Sequence, residues 1–332
     1  MKRWARAIAT VSALLLAASA AGAKPAEVRV GVVLKSLDNP FFVAMYEGVT
    51  AEAGKRRVDA SVRAANGAAD LAGQAALVRA LVADKKDCYV VNPITSTNVI
   101  AALRAARRPI VNIDSPIDAA TARRAGVHIR SFIGTNDVEV GEMAAAKMVA
   151  LLPSGGTVAL VGGTADSVNS KHRLSGFERG VRATRVRVVA RVDADYDRAK
   201  AALAAERILH LHPRLSGLFA VNDEMALGVA DAVRSAGKTG SVAIIGVDGI
   251  PDALDAVSNG SISATVSQYP HVMGQMAVEA CVAAARGARL PARVDAPIAV
   301  VTKSNVGRAT ANFPRPFRGY SDPFARLLAK RR

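Results

Sequence analysis

The chain has 332 residues, of which 51% are hydrophobic and 22% charged, a composition typical of folded globular proteins rather than disordered ones. Its formal net charge is +16, but three cations lie within the first 23 residues and seven in the segment 308–332. The rest of the chain has no compact basic block interleaved with aromatic residues, so we expect a cation-rich, solvated surface and no nucleic-acid partner.

The N-terminus has the pattern of a secretory signal peptide. Three basic residues within the first six positions precede the apolar run 7–16, and small residues follow as far as Ala23. We predict cleavage after Ala23, with Ala20 as the competing site. The apolar run is too short to span a bilayer, and no later apolar run has membrane length. We therefore expect a soluble protein exported to the periplasm.

The only two cysteines are Cys88, in a strand-like run, and Cys281, on an apolar helical face. A chain of this size needs no disulfide scaffold for its core, so the sequence favours two buried, unreacted thiols. A disulfide between them is the alternative that export permits.

Short β-rich runs alternate with stretches of helical period, the pattern of βαβ units with a mostly parallel sheet. The first series has strands at 28–34, 58–64, 87–91 and 109–113, with helices at 40–53, 69–83 and 98–106. The second series starts with a helix at 139–152 and has strands at 157–161, 186–192, 217–221, 242–247 and 262–266. The sequence thus predicts an α/β protein of two Rossmann-like lobes.

Several predicted strands end in a polar residue: Asn92, Asp114, Asn222 and Asp248. Ligands of open parallel sheets bind at the carboxyl ends of the strands, so these side chains should converge on one crevice. Helix capping is the alternative role for Asp114, Asn222 and Asp248. Either Asn222 or Asp223 is expected to cap the helix that starts beside them.

The first predicted helix opens with an N-cap residue, Asn39, and a proline, which is a structural arrangement. Phe41 and Phe42 face directions about 100° apart on that helix. Both therefore cannot enter one core, and one aromatic face is available to a ligand such as a sugar, although a core role is the alternative. Arg173 near the start of a helix opposes the helix dipole, which favours a functional role.

Motifs of catalysis and of metal or cofactor binding are missing from the sequence. His210 and His212 close a predicted helix before a proline, with no carboxylate or thiolate cluster beside them in sequence, and are assigned a structural role. Gly162 and Gly163 follow a strand without the spacing of a dinucleotide-binding loop, and there is no Walker loop, nucleophile elbow or zinc-protease motif. We expect no enzyme, no metal and no cofactor.

The sequence contains four motifs: LDNPFF at 37–42, VNP at 91–93, NDEMALG at 222–228 and GVDG at 246–249. In this order they resemble the ribose-type periplasmic sugar-binding proteins. The fold of that family also occurs in the ligand-binding cores of LacI-type repressors. The resemblance spans about residues 28–305. It implies two lobes joined by a three-strand hinge, crossed near 134–136, 268 and 295. The implied divisions are a first lobe of 24–134 plus 269–295, a second of 135–268 plus 296–306, and a basic tail at 307–332 without an assigned role.

The resemblance also implies a set of ligand-binding residues, with Tyr196 at a position where the family often has phenylalanine. The set is Asn39, Phe41, Phe42, Asp114, Arg173, Tyr196, Asn222, Asp248 and Gln268. Two positions depart from the ribose-type pattern, because Ser115 replaces an arginine and Val247 replaces an aromatic residue. Ribose itself is therefore in doubt, and another pentose, a hexose or a cyclic polyol fits equally well.

The function implied is that of a solute-binding component of an ABC import system. It would be a monomer that closes on a monosaccharide or polyol by a hinge motion and docks on a permease in the inner membrane. The alternative is a ligand-loaded partner of a chemoreceptor or sensor kinase. An enzyme acting on a small sugar is the third possibility.

Overall fold

The structure is a computed structural model that describes residues 27–329, so the predicted signal peptide at 1–23 lies outside the described residues. The strands in chain order are β1 (Arg29–Leu34), β2 (Asp59–Ala64), β3 (Cys88–Val91), β4 (Ile110–Ile113), β5 (Ile129–Gly134), β6 (Gly156–Gly162), β7 (Val186–Asp193), β8 (Gly217–Ala220), β9 (Ala243–Asp248), β10 (Ala264–Gln268), β11 (Arg293–Asp295) and β12 (Ile298–Thr302).

These strands form two six-stranded sheets, in the orders β2-β1-β3-β4-β5-β11 and β7-β6-β8-β9-β10-β12. Every pairing is parallel except that of β10 with β12. The central strands β3, β4 and β8 are buried along their whole length, as expected where helices cover both faces of a parallel sheet. The edge strand β7 alternates between exposed and less exposed residues.

The helices lie between these strands and after the last one. They are α1 (Pro40–Arg56), α2 (Leu71–Ala83), α3 (Ile100–Leu103), α4 (Ala119–Arg124), α5 (Asp137–Leu151), α6 (Val168–Val181), α7 (Arg198–Leu211), α8 (Asp223–Ser235), α9 (Pro251–Asn259), α10 (Pro270–Ala285), α11 (Val306–Asn312) and α12 (Pro323–Ala329). Many begin at a side-chain cap, such as Asn39 on α1, Asn136 on α5 and Ser167 on α6.

The chain passes between the sheets three times. It leaves the first sheet after β5, returns to it after β10 through α10, and leaves it again between β11 and β12. Helix α10 packs against α1 and contacts β3, β4 and β5 of the first sheet. The α/β class and the pair of parallel-dominated sheets are therefore as predicted. The exact division of residues between the lobes stays a prediction.

The sequence prediction missed β5, β11 and β12. Strand β5 carries Arg130 and Ser131 among its apolar residues, and β11 has only three residues, so neither gives a clear apolar run. Both are held in place by their neighbours in the sheet, with Val294 paired to Ile133. Tertiary pairing, rather than local sequence preference, defines these strands.

The prediction of two unreacted thiols was wrong, because Cys88 and Cys281 form a disulfide. Both residues are buried, as predicted. Helix α10 lies across β3 and brings the two Cα atoms to 5.5 Å, a separation that a disulfide spans without backbone movement. The two cysteines are 193 positions apart in the sequence, which gives no hint of this contact.

The tail beyond Val306 is folded as far as it is described, where the sequence analysis assigned it no structure. Helix α11 contacts α9 and β12, and α12 contacts α10. Phe324 of α12 is fully buried. Among residues 27–329, none of the helices has the length and apolar character needed to cross a bilayer.

Candidate functional site

The site is built where strands of the second sheet end. Asp248 is the last residue of β9, Gln268 is the last of β10, and Asn222 follows β8 by two residues. In the first sheet, Asp114 follows β4 directly. The parallel strands place these polar side chains at one edge of each sheet, as the sequence predicted.

Arg173 is the centre of the second-sheet part of the site. Its side chain is only 5% exposed; Nε donates to Asp137 Oδ1 at 2.7 Å, and Nη1 donates to the Val221 carbonyl at 2.7 Å. Nη1 also lies 3.8 Å from Asp248 Oδ1. Asp137 and Asp248 hold the pKa of this guanidinium above its ordinary value, against the effect of burial. Arg173 is therefore fixed and charged.

Close packing of α6 on α5 brings Arg173 to Asp137. A Cβ atom added to Gly141 would lie 2.1 Å from the Arg173 carbonyl oxygen, and one added to Gly176 would lie 2.1 Å from that of Val138. Only glycine permits this approach of the two helices. Asp137 was not predicted as a partner of Arg173, since that contact depends on the helix packing.

Gln268 links the hinge to Asp248. Its Nε2 donates to Asp248 Oδ1 at 2.7 Å, and its Oε1 accepts from Thr135 Oγ1 at 2.6 Å. Thr135 lies in the first crossing between the sheets, and Gln268 precedes the second. The two crossings are thus hydrogen-bonded to each other beside the carboxylate of Asp248.

Asp248 has an unusual backbone and an unusual acidity. Its φ is +125°, and Asp223 holds the following turn, because Asp223 Oδ2 accepts from the Gly249 and Ile250 amides at 2.6 and 3.1 Å. Burial raises the pKa of Asp248 to about 7, against the opposing effect of Arg173. Burial also raises the pKa of Asp137 and of Asp223. Burial therefore disfavours the charged forms of all three carboxyl groups.

In the first-sheet part of the site, a lysine that the sequence analysis missed joins the predicted residues. Lys35 Nζ donates to Ser115 Oγ at 2.5 Å and lies 3.6 Å from Asp114 Oδ2. The same ammonium lies 5.7 Å from the centre of the Phe42 ring. Lys35 follows β1 directly, so the strand-end pattern that identified Asp114 was a signal for it.

The two phenylalanines divide as the helical geometry predicted. Phe41 is buried in the core, whereas Phe42 is half-buried beside Lys35, and the two rings form an edge-to-face pair with centres 5.3 Å apart. Asn39 Oδ1 accepts from the Phe41 amide at 2.8 Å. Asn39 therefore acts as the cap of α1, and Phe41 contributes to the core.

The capping alternative applies to Asn222 and not to the two aspartates. Asn222 Oδ1 accepts from the Met225 amide at 3.0 Å at the start of α8, whereas α4 is capped by Asp118 and α9 has no side-chain cap. The side chains of Asp114 and Asp248 remain directed to the Lys35 and Arg173 clusters.

Tyr196 and Asn169 complete the region. Tyr196 Oη lies 2.5 Å from Ser167 Oγ, and burial raises the pKa of this phenol to about 12. Its ring covers Gly163, where an added Cβ would lie 2.2 Å from ring atom Cζ. Asn169 Nδ2 donates to the Asp114 carbonyl at 3.2 Å and so joins α6 of the second lobe to the first. Asn169 was not predicted.

A cavity of about 440 Å³ lies beside the network and contains none of the nine predicted residues. Its lining includes Phe132, Thr135, Asp137, His172 and Arg293. Within the described part of the chain, no group of three or more histidine, cysteine or acidic residues has the geometry of a metal site. His210 and His212 lie at the end of α7.

Comparison with known proteins agrees with this arrangement. The family model described as "Periplasmic binding protein domain" matches residues 30–289. The D-allose-binding periplasmic protein of Escherichia coli (strain K12) is 33% identical over 286 residues, covering 85% of this chain and 91% of that protein. The ribose import binding protein of Bacillus subtilis (strain 168) is 32% identical over 316 residues, covering 91% of this chain and 100% of that protein.

Among solved structures, an ABC transporter periplasmic solute-binding protein from Actinobacillus succinogenes 130z with bound D-allose superposes with a TM-score of 0.81 at 27% identity. The superposition covers 85% of this chain and 99% of that one. The sequence resemblance to the ribose-type proteins was correct, and this chain belongs to the family of periplasmic binding proteins.

Proposed function

We propose that the chain is the solute-binding component of an ABC import system, which binds a monosaccharide or polyol between its lobes and delivers it to a membrane permease. One observation carries the proposal. The buried group of Arg173, Asp248 and Gln268 presents planar donors and acceptors at the strand ends, with a phenylalanine and a lysine on the other lobe. Such groups pair with neighbouring hydroxyls, and an aromatic face accepts the C–H face of a sugar.

The charges favour a neutral ligand over an anionic one. Lys35 and Arg173 are already paired with Asp114, Asp137 and Asp248, so the cleft holds no surplus of positive charge for a phosphate or carboxylate. Burying an anion without a compensating partner is costly. The relatives named for D-allose and ribose support the same ligand class.

Lys35 affects which sugar we expect the cleft to bind. Ser115 stands where the ribose-type pattern has arginine, and the Lys35 ammonium donates to its hydroxyl. A cation from another strand thus occupies the neighbourhood of the missing guanidinium. A point-charge donor lacks the paired geometry of arginine, so we favour a sugar or polyol other than ribose.

We propose the nine residues of the sequence analysis as the ligand set, with Lys35 and Asn169 added and with Asn39 and Phe41 acting through the position of α1. We also propose the lobe divisions given there, a monomeric state, export to the periplasm through the 1–23 segment, and binding without catalysis. Ligand contacts from both lobes would favour the closed arrangement, and changing a mostly open ensemble into a mostly closed one requires about 5 kcal/mol of preference.

The test is a thermal-unfolding screen of the mature protein against pentoses, hexoses and polyols. A ligand at 100 times its dissociation constant adds about 2.7 kcal/mol of stability. Arg173→Ala should abolish the shift produced by the best sugar. Arg234→Ala is the matched control, because its side chain is 73% exposed and lies in the last turn of α8, at the opposite end of that helix from Asn222. A screen without any hit, or a full shift in Arg173→Ala, would refute the proposal.

A further inference from the structure

The last described segment of the chain, residues 306–329, is attached to both lobes. Val306 and Ala309 of α11 are buried, and α11 contacts α9 and β12 of the second lobe. Helix α12 contacts α10, which lies on the first sheet. The two ends of this segment therefore hold elements that belong to different sheets.

The attachment of α12 to α10 has an apolar and a polar part. Phe324 is fully buried and Leu328 nearly so, which fixes α12 by its apolar face. Asp322 caps the helix by accepting from the Phe324 and Ala325 amides at 2.9 and 3.0 Å, and Gln275 Nε2 of α10 donates to its Oδ2 at 3.4 Å.

An ionisable cluster lies beneath this cap. Arg56 of α1 donates to Glu52 and to Glu279, and the second carboxylate oxygen of Glu279 is buried without a hydrogen-bond partner among the described residues. Burial and the neighbouring Asp322 raise the pKa of Glu279 to about 8. A protonated Glu279 can donate from that oxygen to Asp322, which supports the docking of α12 at neutral pH.

The connection between the two attachments is short and stiff. Only the residues 313–322 separate α11 from α12, and they include Pro314 and Pro316, which restrict the backbone. The Phe317 ring packs on the core and lies 5.4 Å from the guanidinium of Arg308 and 5.7 Å from that of Arg318. The middle of the segment is therefore held by packing as well as its two ends, and a change in the distance between α9 and α10 must loosen at least one of these contacts.

We propose that residues 306–329 form a strap, a fourth link between the lobes that restrains their opening. The inference rests on the hinge motion of the proposed function. The lobes touch across the cleft through the bond from Asn169 Nδ2 to the Asp114 carbonyl, so the strap is anchored in an arrangement with the lobes together. Opening the lobes moves α10 relative to α9, and the docked strap opposes that movement.

The decisive experiment lengthens the connection between α11 and α12 while both helices keep their contacts. Insertion of about twelve Gly/Ser residues between Arg315 and Pro316 adds about 20 Å of reach and leaves α11 and α12 unchanged. The same insertion between Thr239 and Gly240, in a loop within the second lobe, is the control. The measurement is the distance distribution between spin labels on exposed non-natural residues at Leu71 and Leu203, one on each lobe, in the ligand-free protein.

The slackened protein should show longer and broader interlobe distances than the wild type and the control. Phe324→Ala, which removes the anchor, should give the same opening with reduced thermal stability. If Phe324→Ala does not fold, the insertion alone decides. Distances in the slackened protein equal to those of the wild type, or an equal broadening in the control, would overturn the proposal.

A sugar-binding measurement distinguishes failure of the strap proposal from failure of the proposed function. Slackening should weaken the apparent affinity for D-allose several-fold, because the binding-competent closed form is less populated. Since the distance measurement uses no sugar, longer distances in a protein that binds no sugar would refute the sugar-binding function and leave the strap standing.

Discussion

Asp248 gives the sharpest prediction, because its buried carboxyl has a pKa of about 7 against an ordinary value of 3.8. A carboxyl whose pKa is raised in the folded state stabilises the fold fully below its unfolded pKa, and this contribution is lost as the pH rises through the folded pKa. The free energy of unfolding should therefore fall between about pH 4 and pH 7. A shift of about 3 units corresponds to an upper bound of about 4 kcal/mol.

The perturbation is Asp248→Asn, which removes the titration and keeps an oxygen that can accept from Gln268 Nε2. Asp137 and Asp223 also have raised pKa values, so the wild-type slope alone contains several groups. The difference in unfolding free energy between variant and wild type contains the titration of Asp248 together with the effect of its charge on the pKa of Asp223. That difference should move in favour of the variant by about 1 to 4 kcal/mol from pH 4.5 to pH 8.

The assay is urea unfolding of both proteins at steps of half a pH unit, followed by sugar titrations at the same pH values. Hydroxyl groups that donate to the carboxylate favour its charged form, so wild-type affinity should rise between about pH 6 and pH 8 while that of the variant stays flat. Parallel stability curves for the two proteins would refute the assignment of a raised pKa to Asp248.

Three further perturbations follow from named contacts. Reduction of the Cys88–Cys281 bridge should lower the unfolding free energy by about 2–5 kcal/mol, seen as a lower melting temperature with reductant, and a Cys88→Ala/Cys281→Ala variant should be insensitive to reductant. Gly163→Ala should displace the Tyr196 ring, which lies 2.2 Å from the new methyl position, and so weaken sugar binding in calorimetry with a stability loss of about 1–3 kcal/mol. Arg173→Lys keeps the charge but cannot make both bonds of the guanidinium, and binding should weaken by about 1–3 kcal/mol while the fold, checked by circular dichroism, is retained.

The alternation of strands and helices could be predicted from the sequence because each βα unit is a local pattern. Burial on both faces makes central strands such as β3 and β8 short apolar runs, and the prediction found them together with the edge strands β2 and β7. Strand β11 was missed because it is defined by pairing with β5 and not by its own three residues. The disulfide was missed for a related reason, since only the packing of α10 on β3 brings the cysteines together.

In the site, too, residues marked by a local pattern could be predicted, whereas contacts made by tertiary packing could not. Asp114 and Asp248 were identified by their place at the ends of strands, which is a property of the sequence. Asp137 was not identified as the partner of Arg173, because their contact depends on the approach of α5 and α6 at Gly141. Asn39 was predicted from the sequence as the cap of the first helix, and this role is confirmed by its side chain, which accepts from the Phe41 amide of α1.

The charge of the pocket beside Asp114 depends on Lys35 as well as on the residue at position 115. Ser115 was interpreted as the loss of a cation, since it stands where the ribose-type pattern has arginine. The carboxyl ends of β1 and β4 lie at the same edge of the sheet, and Lys35 from β1 places its ammonium on Ser115 and near Asp114. The positive charge is therefore retained at that place, but it comes from another strand and has the geometry of a point donor rather than a planar pair. Ligand selectivity at this edge depends on residues 35 and 115 together, so Lys35→Ala should change the order of preference among sugars, whereas an isolated structural role would weaken all of them alike.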